Sequence, residues 1–214
     1  MTNIRTTPNG NSFCGGTLIS PTHVITASHC SSNYDIRWVS VGSHYINGSS
    51  DGEQIKVVSI MNHPKYEAGL FPNDYAILEL DRPSSFPPAK IAAADDSDFA
   101  VNKTATILGW GFTSNKGSVS YELRGVDVPL WDDEQCTKKM GTDELMICAG
   151  GVANKDSCER DSGGPLVLES ETQDVLIAFR AGGHLLVERK ELLVYMRASH
   201  VLGLGLTQLS MARV

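Results

Sequence analysis

Three stretches of this chain concentrate side chains able to do chemistry. The first is Cys14-Gly15-Gly16-Thr17-Leu18-Ile19-Ser20 followed closely by Val24-Ile25-Thr26-Ala27-Ser28-His29-Cys30. The second is Asn73-Asp74-Tyr75-Ala76-Ile77-Leu78, and the third is Lys155-Asp156-Ser157-Cys158-Glu159-Arg160-Asp161-Ser162-Gly163-Gly164-Pro165-Leu166. Serine, histidine and aspartate together suit acyl transfer. A serine hydroxyl is a poor nucleophile until a neighbouring imidazole takes its proton, and a buried carboxylate holds the imidazole in the right tautomer and stabilises its cation. Singly, each such residue is far more often structural than catalytic, so the weight rests on the three stretches taken together. No Cys/His cluster has the spacing of zinc ligands, so neither a metal nor a cofactor is expected.

Composition narrows the classes. The chain has 214 residues, 41% of them hydrophobic, with 18 Lys and Arg against 25 Asp and Glu and a formal charge of −7. That hydrophobic fraction is too high for a disordered chain, and the length suits one or two domains. An acidic balance with no long basic cluster argues against nucleic acid or an anionic membrane as partner. No apolar run approaches the roughly 20 residues that span a bilayer.

The elements that must position these residues read as short strands. Ile36–Val41, Ile55–Ile60, Tyr75–Leu80 and Thr104–Leu108 are β-type runs, separated by turn chemistry at Gly42, Asn47-Gly48, Asp51-Gly52, His63-Pro64 and Asn115-Lys116-Gly117. Such spacing suggests an all-β barrel or sandwich. A proline-, alanine- and acid-rich seam from Asp81 to Asp96 suggests an exposed connection between halves spanning 1–90 and 91–214. A short terminal helix is expected over 200–209.

In this order, the three stretches resemble the trypsin-like (chymotrypsin-fold) serine proteases, and Gly109-Trp110-Gly111 and Met146-Ile147-Cys148-Ala149-Gly150-Gly151 extend the likeness. The resemblance covers about Ser12 to Leu168. It implies two six-stranded antiparallel β-barrels, with the N-terminal strand and the C-terminal part incomplete or divergent. It places His29 as general base, Asp74 as its orienting carboxylate, Ser162 as nucleophile and Asp156 at the base of a pocket for Arg or Lys side chains. It also implies disulfides Cys14–Cys30 and Cys136–Cys148 and leaves Cys158 unpaired, since no later cysteine follows.

Departures from the family pattern bear on activity. Active members begin at a hydrophobic amino terminus whose ammonium pairs with the acid before the nucleophile, here Asp161. No such start is present, and Met1 to Phe13 is too short to supply the missing strand, so Asp161 is expected to lack its usual partner, a costly state for a buried charge. Arg160 stands where most members carry glycine. Its N–H would be one of two oxyanion donors, and losing one donor typically costs about 10²–10³ in turnover. Val175 to Gly183 replaces the family's Ser-Trp-Gly strand, and Leu193-Val194-Tyr195 only echoes its Pro-Gly-Val-Tyr turn.

Two functional classes follow. Segments Ser49–Val58 and Ala92–Asp98 are similar to secreted trypsin-like homologues of filamentous plant pathogens, one branch of which, the glucanase inhibitor proteins, blocks host plant endo-β-1,3-glucanases outside the cell. The resemblance therefore implies a secreted virulence effector that binds another secreted protein and is weak or inactive as a protease. The alternative is an active endopeptidase acting on protein substrates after Arg or Lys, and a folded remnant without function is the bland third. The sequons at Asn47 and Asn102 suit a secreted glycoprotein. Met1 to Pro8 is polar, so an export signal, if the protein is secreted, is expected to have been trimmed or omitted.

Overall fold

The computed structural model describes residues 1–47, 51–69, 73–93, 95, 97–99, 103–111, 118–152, 161–187 and 190–199. Apart from two short helices, its regular elements are strands. The first half is a closed antiparallel barrel of β1 (Thr2–Arg5), β2 (Cys14–Ser20), β3 (His23–Thr26), β4 (Trp38–Val41), β5 (Glu53–Asn62) and β6 (Ala76–Leu80), in the order β1-β2-β3-β6-β5-β4. Helix α1 (Ser28–Asn33) directly follows β3.

Closure depends on β1. Its four residues pair with β2 through Thr2↔Gly16 and Ile4↔Cys14, and with β4 through Asn3↔Ser40 and Arg5↔Trp38. All four are buried. Arg5 is fully buried, and its guanidinium donates to the carbonyls of Pro8 (3.1 Å) and Asn47 (2.5 Å). Loss of solvation pushes its pKa down to about 10, partly offset by the charge of Asp51.

The second half is a curled sheet in the order β10-β13-β12-β11-β8-β9. Its strands are β8 (Thr104–Gly109), β9 (Arg124–Pro129), β10 (Met146–Gly150), β11 (Pro165–Leu168), β12 (Val175–Val187) and β13 (Lys190–Arg197), with β7 (Lys90–Ile91) added in parallel beside β12. The outer strands approach through a bridge from Leu130 to Ala149, and Trp131 N–H donates to Cys148 O at 3.0 Å. Helix α2 (Asp133–Met140) starts at a capping Asp132, whose carboxylate accepts from the N–H of Glu134 and Gln135. It stops at Gly141, where φ is +68°. The divergent stretch after Ser162 is thus still a β12–β13 hairpin, pairing from Ala178↔Arg197 out to Val187↔Lys190 with an irregularity between Arg180 and His184. The helix expected over 200–209 lies outside the described residues.

Burial explains the two-part plan. One apolar cluster, including Ile4, Val24, Val39, Ile55 and Leu78, fills the first barrel. A second, including Ile107, Val128, Leu166, Ile177 and Tyr195, fills the curled sheet. A third joins Ile25, Tyr75 and Ile77 of the first half to Leu176, Phe179 and Met196 of the second, so the halves share a seam of core. At about 25 cal/mol per Å² of apolar surface, such a seam holds the two halves in one orientation and fixes whatever lies along it. Among the described residues, no helix is long and apolar enough to cross a membrane.

Candidate active site

The seam brings His29, Asp74 and Ser162 toward one another from separate elements. His29 lies in the first turn of α1, just after β3. Asp74 precedes β6, which pairs with β3 in the register Thr26↔Ala76, so the two side chains are delivered to the same end of adjacent strands. The carboxylate of Asp74, 3% exposed, accepts twice from His29: from Nδ1 at 2.7 Å and from the backbone N–H at 2.9 Å. With Nδ1–H committed to the carboxylate, the lone pair of Nε2 is left to act as base. Ser28 Oγ donates to Tyr75 O at 2.6 Å and ties the helix to the Asp74 strand a second time. Asn73 just before it takes φ +61°.

Ser162 sits at the head of a turn made by Gly163 and Gly164, and the turn is pinned from both halves of the molecule. Gly15 N–H donates to Ser162 O at 2.8 Å from the first barrel. Gly163 N–H donates to Arg180 O at 2.7 Å, and Arg180 N–H donates to Gly164 O at 2.9 Å from the second sheet. Gly163 has φ +77°, and a Cβ there would stand 2.2 Å from Thr26 Oγ1 and 2.4 Å from Gly15 O. Only glycine fits both that conformation and that approach. Among the described residues, no hydrogen bond links the Ser162 hydroxyl to His29; in free hydrolases this contact often tightens only when a ligand binds.

Asp161 is expected from the sequence to lack its usual ammonium partner; among the hydrogen bonds of the described residues its carboxylate has a backbone donor. Its carboxylate is 6% exposed, and Gly111 N–H donates to its Oδ1 at 2.7 Å. Gly109 and Gly111, on either side of Trp110, make the room: a Cβ on Gly109 would be 1.8 Å from Oδ1, and one on Gly111 2.3 Å from Oδ2. A backbone donor and two missing side chains make room for a buried carboxylate and satisfy one of its oxygens.

Both implied disulfides are present, Cys14–Cys30 and Cys136–Cys148. The sulfurs of Cys14 and Cys30 and a ring nitrogen of His29 lie within 4.8 Å of one another. Because those sulfurs are bonded to each other, the group offers no thiolate to a metal. Asn47 is half-buried, with its carbonyl held by Arg5. Asp156, Cys158, Arg160 and Asn102 fall outside the described residues. A cavity of about 270 Å³ between the halves is lined by Leu18, Phe86, Leu108, Pro165 and Val167 among others; it includes none of His29, Asp74 or Ser162 and is separate from them.

Sequence reasoning assigned no part to Gly15, Thr26, Ser28, Gly109 or Gly111. Of the three reactive residues, Ser162 alone is followed by glycines, Gly163 and Gly164, a pair that marks a place where backbone approaches closely.

Comparison with known proteins agrees with this architecture. The Trypsin family model matches residues 2–199. The chain is 44% identical over 204 residues to glucanase inhibitor protein 3 of Phytophthora sojae (strain P6497), covering 92% of this chain and 78% of that protein. It is 49% identical over 170 residues to glucanase inhibitor protein 4 of Phytophthora infestans, covering 78% and 67%. It is 39% identical over 171 residues to a trypsin of Saccharopolyspora erythraea, covering 77% and 74%. With one fold, one barrel seam and one family match across nearly its whole described length, this chain belongs to the trypsin family.

Proposed function

We propose that this chain is an extracellular trypsin-family protein that binds and blocks a plant endo-β-1,3-glucanase, suppressing host defence, and cleaves peptides weakly or not at all. The observation that carries this reading is its 41–49% identity to proteins named glucanase inhibitors. The two disulfides suit an oxidising, extracellular compartment, and the sequons at Asn47 and Asn102 suit glycosylation there. Binding needs a rigid surface and not a working nucleophile, and a closed barrel fused along a core seam supplies rigidity. The test is direct. Purified full chain, mixed with a plant endo-β-1,3-glucanase at micromolar concentration, forms a complex and slows β-1,3-glucan hydrolysis. Ser162→Ala leaves that inhibition unchanged. Absence of a complex at these concentrations removes the reading.

A second reading is favoured by one specific observation, the intact couple of His29 and Asp74. Here the chain is an endopeptidase with His29 as base, Ser162 as nucleophile, the Arg160 N–H as an oxyanion donor and Asp156 recognising Arg or Lys. Turnover of Arg- or Lys-terminated reporter peptides at an ordinary trypsin rate, abolished by Ser162→Ala, would install it in place of the first.

A further inference from the structure

Asp74 is presented to His29 on a sharp local turn. Asn73 takes φ +61°, and Tyr75 N–H donates back to Asn73 O at 2.8 Å, which puts the acid at the tip of a three-residue turn. Asparagine tolerates that left-handed φ, but such a turn persists only where its surroundings hold it. Those surroundings are the segment 63–66, which follows β5. His63 N–H donates to Tyr75 O at 3.0 Å, and Asn73 Nδ2 donates to Lys65 O at 3.4 Å. The rings of His63 and Tyr75 stack, with centroids 4.7 Å apart and planes 29° from parallel. Tyr75 is buried in the seam cluster, so its ring is a fixed wall for His63 to lie on.

The same segment is fastened to helix α1, which carries His29. Ser31 Oγ donates to Asn62 Oδ1 at 2.6 Å, and Tyr66 shares a hydrogen bond with Ser32. Burial, and then the charge of Asp74, raises the pKa of Tyr66, so the field of the acid reaches this segment. The His63 ring is held by packing: among the described residues its buried Nδ1 has no hydrogen-bond partner. Burial, and then the charge of Lys65, holds its pKa below the usual 6.5, which keeps the ring neutral at neutral pH.

We propose that the stacked pair His63 and Tyr75 is a positioning element for the His29–Asp74 couple, holding the turn 73–75 where Asp74 meets both His29 donors. Both residues act through Asp74. A hydrogen bond weakens steeply as its angle and length depart from ideal, so a displaced carboxylate supports the imidazolium less. The inference rests on the geometry of the couple and on neither functional reading, since a histidine bonded to a buried carboxylate titrates alike in an enzyme and in a binding protein.

The experiment follows the His29 ring by NMR in the full chain, reading its proton affinity and the far-downfield Nδ1–H resonance of an imidazole bonded to a carboxylate. Tyr75→Leu removes the ring and keeps apolar bulk. It is expected to lower the proton affinity of His29 at least about tenfold and to lose that resonance. Tyr75→Phe keeps the stack and leaves both in place. Should Tyr75→Leu fail to fold, His63→Leu, on the half-buried side of the stack, is read in its stead, with His63→Phe as its rescue. Ile77→Val, in the same seam cluster, controls for a merely structural loss: it lowers the urea midpoint without moving His29. The proposal is overturned if the leucine variants leave His29 unchanged, if the phenylalanine variants lose the signature too, or if Ile77→Val moves it as far.

Discussion

The carboxylate of Asp161, one residue before Ser162, accepts the backbone N–H of Gly111 at 2.7 Å inside a space kept open by Gly109 and Gly111. The acid is therefore part of the packing of the second half, and the reactive turn inherits its position from β8 and the glycines that follow it. Gly164 N–H closes the turn by donating to Asp161 O at 2.8 Å.

Filling that space should be costly. In Gly109→Ala the new methyl would meet Asp161 Oδ1 at 1.8 Å, so the carboxylate or strand β8 must move. Overpacking of this kind destabilises by about 1–3 kcal/mol. Urea unfolding should show a lowered midpoint with unchanged slope; an unaltered midpoint would mean the carboxylate is not held against Gly109.

Asp74→Asn tests the His29 couple apart from binding. The amide can present its N–H to Nδ1 and favour the wrong tautomer, which in the general Ser-His-Asp scheme costs about 10⁴ in turnover. Whatever rate Ser162 shows toward a phosphonate probe should fall by that order, while glucanase inhibition stays as it was. Equal loss of both would tie the binding surface to the couple and contradict the proposed division of roles.

The seam segment carries a pH-dependent clasp. Glu53 on β5 accepts from Ser84 Oγ (2.6 Å) and from Ser85 Oγ (2.5 Å) and N–H (3.0 Å), and these bonds, that of Ser84 foremost, hold its carboxyl below the ordinary 4.5. A depressed folded-state pKa adds stability above pH 4.5 and loses it as pH falls through the folded value. The group is largely solvated, so the contribution stays within about 1 kcal/mol. Chemical denaturation at pH 7 and pH 3.5 should show Glu53→Gln losing less stability on acidification than the parent; identical losses would dismiss the clasp.

The Cys14–Cys30 bridge closes a separation of 16 residues, for which chain entropy suggests about 3 kcal/mol. Cys30 adjoins His29, and Gly15, next to Cys14, donates to Ser162 O. Replacing both cysteines by alanine should lower the thermal midpoint and slow any phosphonate reaction at Ser162. A destabilised variant with unchanged reactivity would show that the bridge supports the fold without positioning the site.

Much of this protein could be read along the chain. Strand runs at Ile36–Val41, Ile55–Ile60, Tyr75–Leu80 and Thr104–Leu108 correspond to β4, β5, β6 and β8: one-sided burial imprints alternation on β5, and the near-continuous burial of β4, β6 and β8 shows as short apolar runs bounded by turns. The reactive residues were legible as types in ordered stretches, and the two disulfides followed from the family likeness. Helix α2 was not foreseen, since its single buried residue, Cys136, leaves almost no apolar period to read. Tertiary structure alone decided the rest: that four residues, Thr2–Arg5, close a barrel, that Gly111 N–H donates to Asp161, and that Arg180 brackets the serine turn. These depend on contacts between residues ten or more positions apart, most of them made by backbone groups whose donors and acceptors are the same in every residue. Side-chain identity therefore carries no record of them until the chain has folded.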